Sequence, residues 1–349
     1  MLLVDTLLSL EFKEDIGDEG RNSDVHIAYD PQLNADLVVK IIDKSDFNNE
    51  DDFFKEAQML YATQHPNIME VKYASQDEKN IYLAMQYFKN GSLNSLMNER
   101  YLTVKEIIKY SLEFLSGIHF MHTKKLIHFD IKPTNILISN SNKAVVTDFG
   151  LSKYLNDSGF ATPDKLYPLH IPPEAFVFGK QSFFTDVYQA GLTIYRMCNG
   201  DDFFKDQLNK LNINTNGELG EAIKKGKFPK RDSFLPHIPD KFQRIIKKAL
   251  IPDVKSRYET VLDMINDISG VEEEANWVYT EDTNKSSQWT KENDTHIFKL
   301  NLFKESNNWV TFGEKIRKSD GNSRKVTKWC NNEYTSKEEA YKHLKQLMQ

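Results

Sequence analysis

The run His128-Phe129-Asp130-Ile131-Lys132-Pro133-Thr134-Asn135 is followed twelve residues later by Thr147-Asp148-Phe149-Gly150. These 23 residues supply a base-like carboxylate, a cation, an amide and a second carboxylate. Phosphoryl transfer needs that set. The transferred group spreads negative charge over its oxygens, so catalysis is mostly positioning plus stabilisation by metal ions and cationic side chains. One Asp can orient the attacking hydroxyl and accept its proton. An Asn and a second Asp can hold magnesium, which prefers hard oxygen ligands. A Lys between them can neutralise the migrating phosphate.

The two stretches resemble the catalytic loop (H-R-D-x-K-x-x-N) and the D-F-G metal motif of eukaryotic-type (Hanks-type) serine/threonine protein kinases. The resemblance implies that Asp130, Lys132 and Asn135 are catalytic and that Asn135 and Asp148 hold the metal. It also implies ATP with Mg2+, or Mn2+ in its place, and a protein hydroxyl as acceptor. His128 is expected to brace the loop rather than react.

The rest of the chain must position these groups. Phe12 to Ile16, His26 to Tyr29 and Leu37 to Ile42 read as strands, with a turn at Asp30-Pro31. The glycine-rich hairpin that covers ATP phosphates in kinases is matched only in part: Gly20 and Val25 fit, and Gly17 is displaced by one. Lys40 ends an apolar strand, as the kinase V-A-I-K lysine does. Phe53, Ala57 and Leu60 then mark a helical stripe beside Glu56, which takes the place of the glutamate that pairs with that lysine. Ile81 to Phe88 alternates like a strand and resembles the kinase hinge, with Met85 at the back pocket and Gln86 to Phe88 on adenine. The resemblance adds Val38 and Leu137 to the nucleotide contacts.

Thr103-Val104-Lys105-Glu106 is a capping box. It opens a long helix with Ile107, Ser111, Phe114, Ile118 and Met121 on one face. His119 and His122 on that helix read as structural. Ile171-Pro172-Pro173-Glu174 resembles the A-P-E that ends a kinase activation segment, and Arg257 matches the late arginine that pairs with its glutamate. Asp186-Val187-Tyr188-Gln189-Ala190-Gly191 resembles D-V-W-S-x-G, whose Asp anchors the catalytic loop.

Two departures stand out. Phe129 replaces the arginine that often grips an activation-loop phosphate, so activity is expected not to require phosphorylation there, leaving Ser158 and Thr162 as bystander autophosphorylation sites. Tyr167 occupies a position where serine/threonine kinases usually carry Thr, while Lys132 still points to Ser/Thr acceptors.

The chain has 349 residues, enough for two or three domains. No apolar run approaches the length of a membrane span. Met1 to Leu10 lacks a basic flank and reads as an extra strand or cap. Two cysteines in separate regions argue against a disulfide framework and fit a reducing cytoplasm. Net charge is −6 over residues 1–270, −5 over 271–294 and +5 over 295–349.

The expected fold is α+β and bilobal: a β-rich lobe over 1–88, a helical lobe over 89–270, an acidic linker over 271–294 and a small basic β-β-β-α domain over 295–349. In that domain Lys315, Arg317, Lys318, Arg324, Lys325 and Lys328 flank strands two and three, near Trp309 and Trp329. Those residues could meet nucleic-acid phosphates and stack on bases, or dock a protein. Around residue 277, Trp277, Val278 and Tyr279 are expected to pack. Two alternatives to a protein kinase stay open: a nucleotide-binding pseudokinase scaffold whose tail binds the partner, and an enzyme that phosphorylates RNA or a small molecule.

Overall fold

A computed structural model describes residues 7–17, 24–47, 49–177, 179–271 and 276–348. The first lobe holds β1 (Glu11–Asp15), β2 (Asp24–Asp30), β3 (Ala35–Asp43), α1 (Lys55–Ala62), β4 (Val71–Gln76) and β5 (Asn80–Gln86). Its antiparallel sheet runs β1-β2-β3-β5-β4. Register decides what this sheet does. Val25 lies opposite Lys40, Val38 opposite Met85, and Lys40 opposite Leu83. Directly opposed residues share a face, so Val25, Val38, Lys40 and Met85 all project to one side. The other face buries Ala28, Leu37, Val39 and Ala84 under Leu10.

The second lobe holds α2 (Leu93–Glu99), α3 (Val104–Thr123), β6 (Leu126–Ile127), β7 (Ile136–Ile138), β8 (Ala144–Val146) and β9 (Lys153–Tyr154). It continues with α4 (Phe183–Asn199), α5 (Asp201–Lys210), α6 (Asn216–Lys224), α7 (Asp240–Ala249) and α8 (Val261–Ser269). Helix α3 starts at the expected capping box, with both the Thr103 and Glu106 side-chain bonds formed. Ile107, Phe114, Ile118 and Met121 on its expected face are each fully buried. Each such side chain stabilises the fold by about 1.5–3 kcal/mol relative to exposure.

The tail departs most from expectation. Residues 278–292 are not a linker: β10 (Val278–Glu281) and β11 (Ser287–Glu292) are the first strands of a larger sheet. It continues through β12 (His296–Glu305), β13 (Asn308–Arg317) and β14 (Ser323–Lys325), with β15 (Asn331–Tyr334) also on β13, and ends in α9 (Lys337–Met348). Six strands and a helix therefore replace the expected β-β-β-α. The acidic composition hides a period-two pattern in which Tyr279, Ser287 and Trp289 face inward. The same alternation turns Val278 outward at 46% exposure, against the expectation that it packs. Trp277 and Tyr279 are buried.

The tail shares one continuous apolar core with the helical lobe. Tyr101 packs edge-on against Tyr279 with centroids 4.5 Å apart, and its hydroxyl donates to Glu281 at 3.3 Å. Trp289 Nε1 donates to His237 Nδ1 at 3.1 Å, and Lys345 donates to Gln243 Oε1 at 3.2 Å. Gly313 is required by closeness: a Cβ there would lie 2.4 Å from that of Trp329. Cys198 and Cys330 are free thiols.

Of the expected cap at the start of the chain, residues 1–6 lie outside the described residues. Residues 7–10 form no strand; Leu7 is 92% exposed, and only Leu10 packs on the sheet.

Candidate active site

The loop from His128 to Asn135 is built almost entirely by long-range hydrogen bonds. The Asp186 carboxylate, on buried α4, accepts from the backbone N–H of His128 at 2.9 Å and of Phe129 at 3.0 Å. Gln189, one turn further along α4, accepts from Ile131 N–H at 3.0 Å and donates to Phe129 C=O at 2.7 Å. His128 Nε2 donates to Thr147 C=O at 3.0 Å, tying this loop to the Asp148 segment. Phe129 has φ +68° and Asp148 φ +62°. Left-handed backbone at residues other than glycine costs on the order of 1–3 kcal/mol and persists only where surroundings over-determine it. The bonds from Asp186 and Gln189 supply that constraint at Phe129.

Within the loop, Asp130 Oδ2 accepts from Lys132 Nζ at 2.7 Å and from Asn135 Nδ2 at 2.8 Å. Asn135 Nδ2 also donates to Asp130 C=O at 2.9 Å, so its carbonyl oxygen, which accepts from Thr134 Oγ1 at 3.4 Å, is the side chain's candidate ligand for a cation. Asp130 Oδ1 is buried, and none of the described residues donates to it.

Lys40 reaches this cluster from the sheet. Its ammonium donates to both carboxylate oxygens of Glu56 at 3.0 Å and to Asp148 Oδ1 at 3.1 Å. Burial works to lower the Lys40 pKa, but Glu56 and Asp148 together outweigh it and leave the pKa raised. The Asp148 carboxyl is pulled down to about 2, chiefly by the charge of Lys40. Lysine and aspartate are therefore both ionised at neutral pH. The Asp148 carboxylate, 41% exposed, and the Asn135 carbonyl form a hard-oxygen donor set that suits a divalent ion.

The structure thus brings together Lys40, Glu56, Asp130, Lys132, Asn135 and Asp148, with Val25, Val38 and Met85 on the same sheet face. Leu137 lies on β7 of the helical lobe and Phe88 packs partly against the main core; Gln86 closes β5 and is exposed. Gly17 is described, its N–H donating to Asp15 Oδ1 at 2.8 Å. Gly20 lies outside the described residues.

Glu174 and Arg257 form a buried two-pronged ion pair, at 2.9 and 2.7 Å. His170 was not singled out by its sequence. Fully buried, it donates from Nδ1 to Ile131 C=O at 2.9 Å and accepts at Nε2 from Arg196 Nη1 at 2.9 Å. Burial, then the charge of Arg196, pushes its pKa well below the usual histidine range. Gln189 was read only as part of a motif. No local signal exposes either role, because their partners in the catalytic loop lie 39 to 60 residues away.

Trp309 and Trp329 bear on whether the tail stacks on bases or docks a protein. Trp329 is 8% exposed and packed beneath Gly313, and Trp309 is partly buried under Lys337 at 5.4 Å.

Comparison with known proteins places the chain in a family. The family model described as protein kinase domain matches residues 10–267. The chain is 26% identical over 261 residues to the probable serine/threonine-protein kinase PknB of Lactococcus lactis, covering 72% of this chain and 40% of that protein. It is 27% identical over 258 residues to serine/threonine-protein kinase PrkC of Bacillus subtilis, covering 71% and 38%. It is 29% identical over 229 residues to a probable serine/threonine-protein kinase of Dictyostelium discoideum, covering 64% and 14%. The chain therefore spans about two fifths or less of these relatives' lengths. No helix among the described residues is long and apolar enough to cross a membrane. With most of its length matched by the family model, this chain belongs to the protein kinase domain family.

Proposed function

We propose that the chain transfers the γ-phosphate of ATP to serine or threonine hydroxyls of proteins. The observation that carries this is the state of Asp130. One carboxylate oxygen is fully engaged by Lys132 and Asn135, and the other is buried with no donor among the described residues. That oxygen can orient an acceptor hydroxyl and take its proton as the hydroxyl oxygen attacks phosphorus and the bond to the ADP leaving oxygen breaks. Lys132 offsets charge on the transferring group. Lys40, held by Glu56, grips the α- and β-phosphates. Asn135 and Asp148 would hold Mg2+ or Mn2+, which neutralises phosphate charge. Val25, Val38, Met85 and Leu137 would enclose the nucleotide, with the backbone of residues 86–88 on adenine. The formed Lys40–Glu56 pair favours this reading over a nucleotide-sensing scaffold.

The site is proposed to work without activation-segment phosphorylation. Phe129 is fully buried among Ile127, Leu151, Leu155, Ala161, Leu166 and Phe183, so apolar packing does here what an arginine–phosphate contact would do. Ser158 and Thr162 remain exposed bystanders.

For the tail, a protein-docking role is favoured over base stacking, because Trp329 is buried. Lys315 and Arg324 stand directly opposite on β13 and β14. Like charges so placed are destabilising, which suits a surface that meets an acidic partner. Charge-reversing both residues is expected to abolish salt-sensitive binding of that partner.

The primary test is transfer from γ-labelled ATP with magnesium, comparing the native chain with Asp130→Asn and Asp148→Ala. Label on the native chain alone, at serine or threonine by mass spectrometry, is expected. A folded native chain that binds nucleotide yet transfers nothing to protein would overturn the reading.

A further inference from the structure

Tyr167 stands at the rim of the site, 36% exposed. Its ring centroid lies 4.7 Å from Lys132 Nζ, the same ammonium that donates to Asp130 Oδ2 at 2.7 Å. Lys132 is thus held between a carboxylate and an aromatic face, with its side chain only 16% exposed. An ammonium over a ring is attracted by the ring's quadrupole, more strongly as water is excluded.

Both flanks of Tyr167 are fixed. Its own C=O accepts from His170 N–H at 2.8 Å, and His170 in turn is locked to Ile131 and Arg196. On the other side, Leu166 packs into the apolar cluster around Phe129. Ile131 immediately precedes Lys132, so the segment carrying the ring and the segment carrying the ammonium are tied to each other at two points. The aromatic contact follows from this frame and is not a chance placement of two surface side chains.

We propose that Tyr167 is a positioning residue for phosphoryl transfer, holding the Lys132 ammonium against Asp130 through its aromatic face and not through its hydroxyl. The proposal rests on the kinase reading above. A cation already clamped on two sides keeps one direction for the transferring phosphate. Losing the ring frees Lys132 to swing toward solvent, which weakens stabilisation of the transferring group while leaving nucleotide binding by Lys40 intact.

Three variants test it: Tyr167→Phe, Tyr167→Thr and Tyr167→Leu. The Phe variant is expected to keep kcat within about two-fold. Thr and Leu are expected to lose on the order of ten-fold in kcat at unchanged KM for ATP, in line with the strength of a partly desolvated cation–π contact. Independently of activity, the ring should shift the Lys132 ε-methylene protons upfield by NMR in the native and Phe chains, and not in the Thr or Leu chains. If one variant fails to fold, the other non-aromatic chain makes the same comparison with Phe. Full kcat in a folded non-aromatic variant, or a Phe variant as impaired as Leu, would overturn the proposal. So would the absence of the ring shift in the native chain. A native chain that transfers no phosphate sinks the kinase reading instead, and the ring-shift comparison still decides the contact.

Discussion

Asp186 accepts the Phe129 N–H at 3.0 Å and so holds a bulky residue at φ +68°. The same carboxylate takes the His128 N–H at 2.9 Å and pairs with His122 Nε2 at 2.8 Å. One buried side chain from α4 therefore sets the backbone on which Asp130 stands.

Replacing Asp186 with Asn leaves one oxygen for these donors and points an N–H at another. An unsatisfied buried donor costs on the order of 1–3 kcal/mol. Asp186→Asn is expected to lower stability by about that much in urea titrations and to reduce transfer activity by more than ten-fold, since a sub-ångström shift at Asp130 affects attack geometry. Unchanged activity would show that the loop does not depend on this anchor.

Phe129 is fully buried, so Phe129→Ala should cost about 3–5 kcal/mol through lost burial and a residual cavity. Phe129→Leu should cost far less, under about 1.5 kcal/mol, and keep most activity. Phosphatase treatment of the native chain is expected to leave its rate unchanged. A chain silenced by phosphatase and revived by rephosphorylation of Ser158 or Thr162 would contradict the apolar account.

The Glu174–Arg257 pair is buried on both sides. Removing one partner strands a charge, at a cost of about 3–5 kcal/mol, whereas replacing both with apolar residues recovers much of that. Arg257→Met should therefore melt well below the native chain, and the double variant Glu174→Leu/Arg257→Met should melt between the two. Equal losses in the single and double variants would argue against a desolvated pair.

Burial lowers the His237 pKa to about 3, and burial followed by the charge of Arg196 depresses that of His170. Both histidines are neutral in the folded chain but take up a proton when unfolded below pH 6.5. For a histidine with a depressed folded pKa, stability is full above 6.5 and falls as pH drops toward the folded value. At pH 5 His237 alone should cost about 2 kcal/mol. Because Trp289 donates to His237, the tail should loosen from the helical lobe in acid. Trp289 fluorescence and thermal melts at pH 7.5 and 5.0 would check this. A melting temperature flat across that interval would refute it.

Much of the proposed site could be read from the sequence because its residues are compressed into short runs. Asp130, Lys132, Asn135 and Asp148 lie within 19 residues, and their types and spacing suggest the proposed hydroxyl-orienting base, cation and metal pair. Capping at Thr103 and the buried face of α3 were equally readable, since helix signals act over three or four residues. Beyond the Lys40–Glu56, Glu174–Arg257 and Asp186 pairings that the resemblance implied, the chain alone left open what distant partners set. That Lys40 also meets Asp148, that Gln189 and His170 hold the loop, and that Tyr167 faces Lys132 depends on contacts 35 to 108 residues apart. The tail shows the same division. Its strands alternate, but charge and small polar residues such as Ser287 blur the pattern. Only packing of Tyr279 and Trp289 against Tyr101 and His237 decides that residues 278–292 are sheet fused to the helical lobe. Local spacing encodes which chemistry is available; burial and register, which are properties of the assembled chain, decide which groups meet to perform it.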